Sequence, residues 1–268
     1  MKKRNLLIIA FLISSGFAIG QEKEQEPAAG GDLQSKIQNP IASLISIPFQ
    51  NNTDFGIGED DRTRNTLNIQ PVIPLSLNEN LNLITRTIIP IISQPTFPGE
   101  SEFGLGDVSL SLFLTPAKPG KLIYGGGLAL GLPTATDQYL GAEKWTAGPS
   151  VVLLVQPKGW TVGTLIQNSW SYAGADDRGD VNFFYSQVFV TKNLQKGWYV
   201  NSAPIITANW EAPSGEQWTI PLGAGIGKLI RLGKLPINAR AGYYVNVEKP
   251  TGGPDSQLRV QATLLFPK

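Results

Sequence analysis

The sequence contains no histidine, no cysteine and no methionine other than Met1. The absence of histidine excludes Ser-His-Asp hydrolysis and imidazole metal sites, because no other side chain titrates near neutrality without perturbation. The absence of cysteine excludes disulfides and thiolate nucleophiles. Without an internal methionine, sulfur ligation of copper or haem is excluded as well. Carboxylate, amine and hydroxyl chemistry remain, or no catalysis at all.

Charged residues are also scarce, at 16% of 268 residues, and the formal net charge is +1. A nearly neutral chain gives no support to nucleic-acid binding, which requires a basic surface. Long hydrophobic runs are missing too, because charges, prolines and glycines interrupt every apolar stretch beyond the N-terminus. A membrane would therefore be crossed by strands rather than by helices.

The first 20 residues have the pattern of a secretory signal peptide. A basic start at 2–4 is followed by an apolar run at 6–13 and by small residues that end at Gly20. The alternative is a membrane anchor, but the apolar run is shorter than the roughly 20 residues that a spanning helix needs. We expect export and cleavage near Gly20.

Residues 21–40 are interpreted as a leader that precedes the main domain at 41–268. Within it, 33–38 can form one short helical turn, which Asn39 and Pro40 would end. The segment 33–40 could sit inside the periplasmic mouth of a barrel as a small plug. It could equally be a flexible leader that clears the assembly machinery, and the sequence leaves both interpretations open.

From Ala42 onward, apolar and polar residues alternate with a period of two, which predicts strands. In the last such segment, Leu258 and Val260 alternate with Arg259 and Gln261. About twelve such segments, each close to the length of a tilted span, predict an all-β fold: an up-and-down antiparallel transmembrane β-barrel. The segments are 42–50, 64–77, 81–92, 103–115, 121–132, 144–156, 159–172, 180–191, 197–209, 216–228, 236–248 and 256–266.

The connections between these segments alternate between short or basic turns and longer acidic loops. Because the alternation is strict, each kind belongs to one end of the sheet, as in outer-membrane barrels with short periplasmic turns. A secreted β-sandwich, with its Greek-key crossings, has no reason to separate loop length and charge in this way. The expected long loops are 51–63, 93–102, 133–143, 173–179, 210–215 and 249–255.

Aromatic residues and prolines refine the strand prediction. Tryptophans fall near the predicted strand ends, as interfacial girdles require, whereas a soluble sandwich would place them at strand centres. Prolines within strands lack the amide donor of the ladder, so we expect bulges or local breaks there. The tryptophans are Trp145, Trp160, Trp170, Trp198, Trp210 and Trp218, and the prolines are Pro71, Pro74, Pro90, Pro204 and Pro221.

Several motifs, taken together over roughly residues 32–268, resemble a bacterial outer-membrane family often labelled "neuromedin U" or transporter. This family is grouped with the outer-membrane proteins of the MetA-pathway phenol-degradation type. The hormone label implies nothing about function, but the resemblance implies an outer-membrane barrel that transports small, including aromatic or hydrophobic, compounds. It brings no catalytic residues. The motifs are GLGD at 104–107, LPTATD at 132–137, KWTAGP at 144–149, the segment 170–180, QWTIP at 217–221 and LLFPK at 264–268.

The polar face of the strands supplies candidate residues for selecting solutes. In a barrel these side chains point into the lumen, where arginines opposite carboxylates could set a selective field. Alternatively they fill a narrow lumen and satisfy one another's hydrogen bonds, since only larger barrels leave a wide aqueous channel. The candidates are Arg86, Asp107, Gln167, Asn209, Asn238, Arg240 and Arg259.

Two acidic loops could gather Ca²⁺ or Mg²⁺ and bridge lipopolysaccharide phosphates, although ordinary solvated loops explain the same residues. We therefore expect no resident metal and no cofactor. The weak metal candidates are Glu59, Asp60, Asp61, Asp176, Asp177 and Asp180.

The favoured function is passive passage of small solutes across the bacterial outer membrane. The alternative is a non-conducting barrel with a structural or surface-interaction role. An enzyme is disfavoured, because the chain shows no convincing constellation of catalytic residues. The expected partners are outer-membrane lipid and lipopolysaccharide, the barrel-assembly machinery and a small-molecule solute.

Overall fold

The alternating segments fold into a closed antiparallel β-barrel of 12 strands, as the sequence predicts. This computed structural model describes residues 29–96, 99–233 and 235–266. The expected signal peptide and its cleavage site at Gly20 lie outside the described residues. The first strand pairs with the last, with Ile45 opposite Phe266, which closes the barrel. Closure leaves no unpaired strand edge, as a lipid environment requires.

A short helix, α1 (Ala29–Ile37), precedes the barrel and includes most of the helical turn predicted at 33–38. Each strand is antiparallel to its neighbours, and three strands are divided by an irregular residue pair. The strands are β1 (Ile45–Ile57), β2 (Arg62–Ile69 and Val72–Ser76), β3 (Leu81–Pro95), β4 (Ser101–Leu105 and Val108–Pro116), β5 (Leu122–Leu132), β6 (Lys144–Val155), β7 (Trp160–Gly174), β8 (Asn182–Asn193), β9 (Trp198–Ser202 and Ile205–Asn209), β10 (Trp218–Leu232), β11 (Leu235–Glu248) and β12 (Ser256–Phe266).

The two faces of the barrel wall differ as the alternation predicts. Leu222 is 60% exposed and Val247 is 59% exposed, because both point outward toward the position of lipid. Arg259 and Gln261 point inward from β12 and are almost completely buried. No helix in the described part of the chain is both long and apolar enough to span a membrane.

Prolines explain two of the three divided strands. β2 is interrupted at Pro71 and β9 at Pro204, while Pro221 lies at a register shift between β10 and β11. These positions confirm the expected breaks and bulges. Pro74 and Pro90 instead keep regular partners on the neighbouring strands. The third interruption, in β4, falls between Leu105 and Val108, a position that the proline pattern does not mark.

Several strands continue into residues that the sequence assigns to loops. β1 and β2 extend through most of the expected loop at 51–63 and leave only 58–61 as a turn. On their outer face, Asn51, Thr53 and Asn65 hydrogen-bond to one another, with Asn51 Nδ2 2.9 Å from Asn65 Oδ1. Both faces of β1 and β2 are polar near the turn at 58–61, so the alternation of apolar and polar residues ends before the strands do.

Tryptophans mark both ends of the barrel. Trp145, Trp160, Trp170 and Trp198 are each at least 40% exposed, which confirms the girdle prediction over the soluble-core alternative. We call the end that carries the turns after β2, β4, β6, β8 and β10 the short-turn end. There the Lys192 ammonium lies 4.6 Å from the centroid of the Trp160 ring. We call the opposite end, which carries the loops after β1, β3, β5, β7, β9 and β11, the long-loop end.

Candidate functional site in the barrel lumen

The barrel encloses a cavity of about 340 Å³ between its inner wall and the N-terminal segment, which we define as residues 29–44. Amide and guanidinium side chains from β1, β2, β3, β11 and β12 form one part of the lining. Apolar and aromatic side chains form another part. The cavity therefore offers both hydrogen-bonding groups and apolar surface. The apolar lining includes Val72, Ile88, Tyr185, Phe189 and Ile205.

Helix α1 is hydrogen-bonded to the inner wall at the short-turn end. Gln34 lies within α1 and Gln38 directly follows its last residue, and both side chains reach the barrel wall. Gln34 Nε2 donates to the carbonyl of Trp198 at 3.2 Å, and Gln38 Nε2 donates to Asn193 Oδ1 at 2.5 Å. Gln38 Oε1 also accepts a hydrogen bond from Thr161 Oγ1 at 2.8 Å. These bonds hold α1 across strands β7, β8 and β9.

Ile41 extends the same segment into an apolar cluster inside the barrel. Its side chain is 3% exposed and belongs to a buried cluster with Ile84, Phe113 and Leu165. A Cβ at Gly125 would lie 3.1 Å from Ile41 Cδ1, so the missing side chain leaves room for this contact. Burial of such a side chain contributes about 1.5–3 kcal/mol. The N-terminal segment is therefore held by apolar contacts as well as by hydrogen bonds.

Two candidate arginines, Arg86 and Arg240, line the cavity. Arg86 Nη2 donates to Gln70 Oε1 at 2.8 Å. Arg240 Nη2 donates to Gln261 Oε1 at 2.6 Å and to Gln50 Oε1 at 3.2 Å. Each guanidinium is thus positioned by neutral amides, which fix its orientation but do not neutralise its charge.

Two further candidates, Asn238 and Arg259, lie in the same part of the wall. Asn238 lines the cavity and accepts a hydrogen bond from the Tyr199 hydroxyl at 2.9 Å. Arg259 is 3% exposed, donates to the carbonyl of Ala203 at 2.9 Å and lies 4.5 Å from the Tyr244 ring centroid. Its guanidinium is held against the wall by hydrogen bonds and by a cation–π contact.

The candidates Gln167 and Asn209 lie apart from the residues that line the cavity. Gln167 Oε1 is 3.5 Å from Ser150 Oγ on the neighbouring strand. Asn209 is exposed at the long-loop end, where its Oδ1 accepts a hydrogen bond from the Glu211 amide at 3.1 Å. The structure therefore does not bring all the candidates together.

Asp107 fixes a long loop instead of lining the cavity. Its Oδ1 accepts a hydrogen bond from the Ala135 amide at 3.1 Å, and its Oδ2 accepts one from the Ala142 amide at 2.7 Å. Both amides belong to the loop at 133–143. Arg178 donates from a neighbouring loop to the carbonyl of Gly141 at 2.7 Å. The loop is therefore fixed from two sides.

The loop at 133–143 also packs against the wall of β3 and β4. Leu140 is 5% exposed, and a Cβ at Gly104 would lie 2.9 Å from its Cδ1. Gln94, on the inward-facing register of β3, donates to the carbonyl of Tyr139 at 2.8 Å. Because these contacts lie on the inner register, the loop covers part of the mouth at the long-loop end.

The acidic side chains of the described long loops do not gather into one cluster. Within the described residues, no group of three or more acidic side chains is placed so that it could hold a metal ion. Asp180 Oδ1 lies 3.8 Å from Lys144 Nζ and accepts a hydrogen bond from Ser171 Oγ at 3.2 Å. This carboxylate is therefore engaged by protein groups. The other weak metal candidates are Glu59, Asp60, Asp61, Asp176 and Asp177.

The sequence analysis missed the apolar part of the lumen and the role of Ile41. Phe113, Val152 and Phe189 point inward and are buried, although the inner face was expected to be polar. A signal was present, because 112–114, 151–155 and 188–190 are uninterrupted apolar runs in otherwise alternating strands. Such runs are typical of strands with apolar residues on both faces.

Comparisons with solved structures agree with this architecture. The chain is similar to an outer membrane channel from Pseudomonas putida F1, with a TM-score of 0.64 and 17% sequence identity over 85% of this chain and 97% of the channel. It is also similar to the NanC porin, with a TM-score of 0.53 and 9% identity over 84% of this chain and 100% of the porin. No family model and no curated protein matches the sequence. These likenesses establish the fold, which is that of a bacterial outer-membrane β-barrel.

Proposed function

We propose that this chain is an outer-membrane channel for the passive passage of small solutes, hydrophobic or aromatic solutes among them. The observation that carries the proposal is the cavity of about 340 Å³ inside a closed barrel. Its mixed lining suits a solute with an apolar body and a few polar groups, and its size falls in the ordinary range for small-molecule sites. Passage requires no catalytic group, so we propose a non-enzymatic role.

In this proposal the N-terminal segment is a plug at the short-turn end. Its hydrogen bonds to β7, β8 and β9 and the burial of Ile41 support this role. A solute would pass when the plug shifts. Among the residues proposed to select solutes, Arg86, Asn238 and Arg240 line the cavity and would contact the solute directly.

We further propose that the chain is exported, cleaved near Gly20 and inserted into the bacterial outer membrane by the barrel-assembly machinery. Lipid and lipopolysaccharide would then surround the apolar outer band and the acidic long loops. The outward apolar residues and the exposed tryptophans support this placement.

Liposome swelling tests the proposal. Proteoliposomes that contain the purified, folded barrel are expected to swell in isotonic L-phenylalanine, because this solute is small and carries an aromatic body. They are expected not to swell in stachyose, a tetrasaccharide too large for the cavity. A correctly folded barrel that gives no swelling with either solute would contradict the proposed channel.

A second candidate function is a non-conducting structural or surface-interaction barrel. The specific observation in its favour is the apolar cluster around Ile41, which fills the lumen beside α1. The variant Ile41→Ser separates the two candidates, because it weakens the docking of the plug without touching the outer wall. A channel is expected to gain permeation in this variant, whereas a structural barrel stays impermeable. Permeation altered by Arg240→Gln would also argue against the structural barrel.

A further inference from the structure

We propose that the lumen cavity is a binding site for an organic monocarboxylate with an apolar body. This inference rests on the proposed channel function and names the class of solute that the channel prefers. The carboxylate would lie between the guanidinium groups of Arg86 and Arg240. The apolar body would contact Ile88, Phe189 and Ile205, which line the same cavity.

The first argument is the charge of the cavity. Arg86 and Arg240 both line it, and no acidic side chain is among the described residues that do so. Their hydrogen-bond partners are the neutral amides of Gln50, Gln70 and Gln261. Both arginines are half-buried, so water screens their charges only in part, and two uncompensated guanidinium groups favour an anion in the cavity.

The second argument is an unused donor. The Nε of Arg240 is buried and has no hydrogen-bond partner within the part of the chain that the structure describes. A buried donor without an acceptor is costly. The described residues therefore do not satisfy every donor of the Arg240 guanidinium.

Asp54, an acidic residue of the inner wall, cannot take this role. Asp54 is 4% exposed, and its Oδ2 lies 2.8 Å from Arg64 Nη2. Its Oδ1 accepts a hydrogen bond from Gln257 Nε2 at 2.7 Å. Because Asp54 is already engaged by Arg64 and Gln257, the positive charge of Arg86 and Arg240 remains available to a solute.

The apolar lining separates this proposal from a site for inorganic anions. A small inorganic anion would use only the guanidinium end of the cavity. A carboxylate that also carries an aromatic ring or a short alkyl chain would bury apolar surface against Phe189 and Ile205 as well. An amphipathic carboxylate therefore matches both parts of the lining.

Calorimetric titration of the detergent-solubilised barrel tests the site directly. Benzoate is the probe, and benzamide is the matched neutral ligand with the same ring. We expect benzoate to bind at least tenfold more tightly than benzamide to the wild-type protein. Octanoate, titrated in parallel, distinguishes an aromatic from an aliphatic body, and sulfate reports the guanidinium end alone.

Two variants locate the site. Arg86→Gln and Arg240→Gln each remove one charge but keep a hydrogen-bonding amide, and each is expected to weaken benzoate binding at least tenfold. Arg231→Gln is the matched control, because Arg231 is exposed near the short-turn end and does not line the cavity. If one cavity variant fails to fold, the other still provides the test.

Equal binding of benzoate by both cavity variants and the wild type would overturn the proposed site, as would equal binding of benzoate and benzamide. Because the titration does not depend on conduction, the two proposals can fail separately. Benzoate binding in a barrel that conducts nothing would contradict the channel alone. Conduction without benzoate binding would contradict the carboxylate site alone.

Discussion

Gly126 and Gly127 are adjacent on β5, yet their surroundings differ. A Cβ at Gly127 would lie 1.7 Å from the backbone oxygen of Leu112 on β4, a contact that no side-chain movement relieves. A Cβ at Gly126 would meet no atom within 4 Å. The barrel wall therefore requires glycine at position 127 and only tolerates it at position 126.

We predict that Gly127→Ala destabilises the barrel by about 1–3 kcal/mol, the usual cost of overpacking. Gly126→Ala is the matched control and is expected to leave stability unchanged. Denaturant unfolding in lipid vesicles, followed by tryptophan fluorescence, measures both variants. Equal unfolding midpoints for the two variants would show that the wall at β4 and β5 adapts to the extra methyl group.

The position of the candidate solute-selecting residues could be predicted from the sequence only in part. Alternation places Arg86, Asn238 and Arg240 on the inner face, and the structure finds them at the cavity. Alternation gives the face but not the height along the barrel, so it could not show that Asn209 lies at the exposed rim. The partners of Asp107 depend on how a distant loop folds, which no local pattern reports.

At the scale of elements, charged side chains connect neighbouring long loops. Arg62 donates to the carbonyl of Thr96 at 2.6 Å, and Arg178 donates to the loop at 133–143. Glu216 Oε2 accepts a hydrogen bond from the Thr251 amide at 2.5 Å, and Glu216 Oε1 accepts one from the Thr251 hydroxyl at 2.8 Å. The loops at the long-loop end are therefore linked around the mouth.

The contact between Glu216 and Thr251 should depend on pH. The backbone and side-chain hydrogen bonds from Thr251 lower the pKa of Glu216 below its ordinary value of 4.5. A lowered pKa means that the folded loops favour the carboxylate, so the stabilisation is fully present above pH 4.5 and is lost as the pH falls through the lowered pKa. We predict that hydrogen-exchange protection of the Thr251 amide, corrected for intrinsic exchange, decreases over that acidic range.

Two variants test whether Glu216 is the responsible group. Glu216→Gln cannot gain or lose a proton, so the protection of the Thr251 amide is expected to be lower and independent of pH. Glu211→Gln changes the same loop without touching Thr251 and is expected to behave as the wild type. Protection that stays constant through the acidic range in the wild type would contradict the assignment.

The elements themselves were predictable where one face is apolar and the other is polar. The prediction failed at 51–57, because polar residues such as Asn51 and Asp54 occupy both faces of a strand that continues above the apolar band. It also failed for the inner face at Ile84 and Val152, which pack around Ile41. A residue from a distant segment fills the lumen there, so local alternation carries no information about it.

At the scale of the whole molecule, the two ends of the barrel differ in loop length and in charge. Lys192 and Lys228 lie over Trp160 and Trp198 at the short-turn end, at 4.6 Å and 4.7 Å from the ring centroids. The long-loop end carries the acidic loops and the linked side chains described above. From this asymmetry we predict that the short turns face the periplasm and the long loops face the exterior.

The orientation can be measured directly, because the chain has no cysteine that would react in the background. We predict that Gly179→Cys, in a long loop where a new side chain meets no atom within 4 Å, reacts with a membrane-impermeant maleimide on intact cells. Gly120→Cys, in a short turn, is expected to react only after the outer membrane is permeabilised. The reverse pattern of labelling would contradict the orientation.

Single-channel recording in planar bilayers tests the central claim most directly, namely that the lumen is a path for solutes. We predict that the purified full-length mature chain gives discrete conductance steps. We also predict that these steps increase in size or frequency in Ile41→Ser, because the N-terminal segment is then less firmly docked. Folded barrels that insert into the bilayer and remain electrically silent, in the wild type and in Ile41→Ser alike, would contradict the claim.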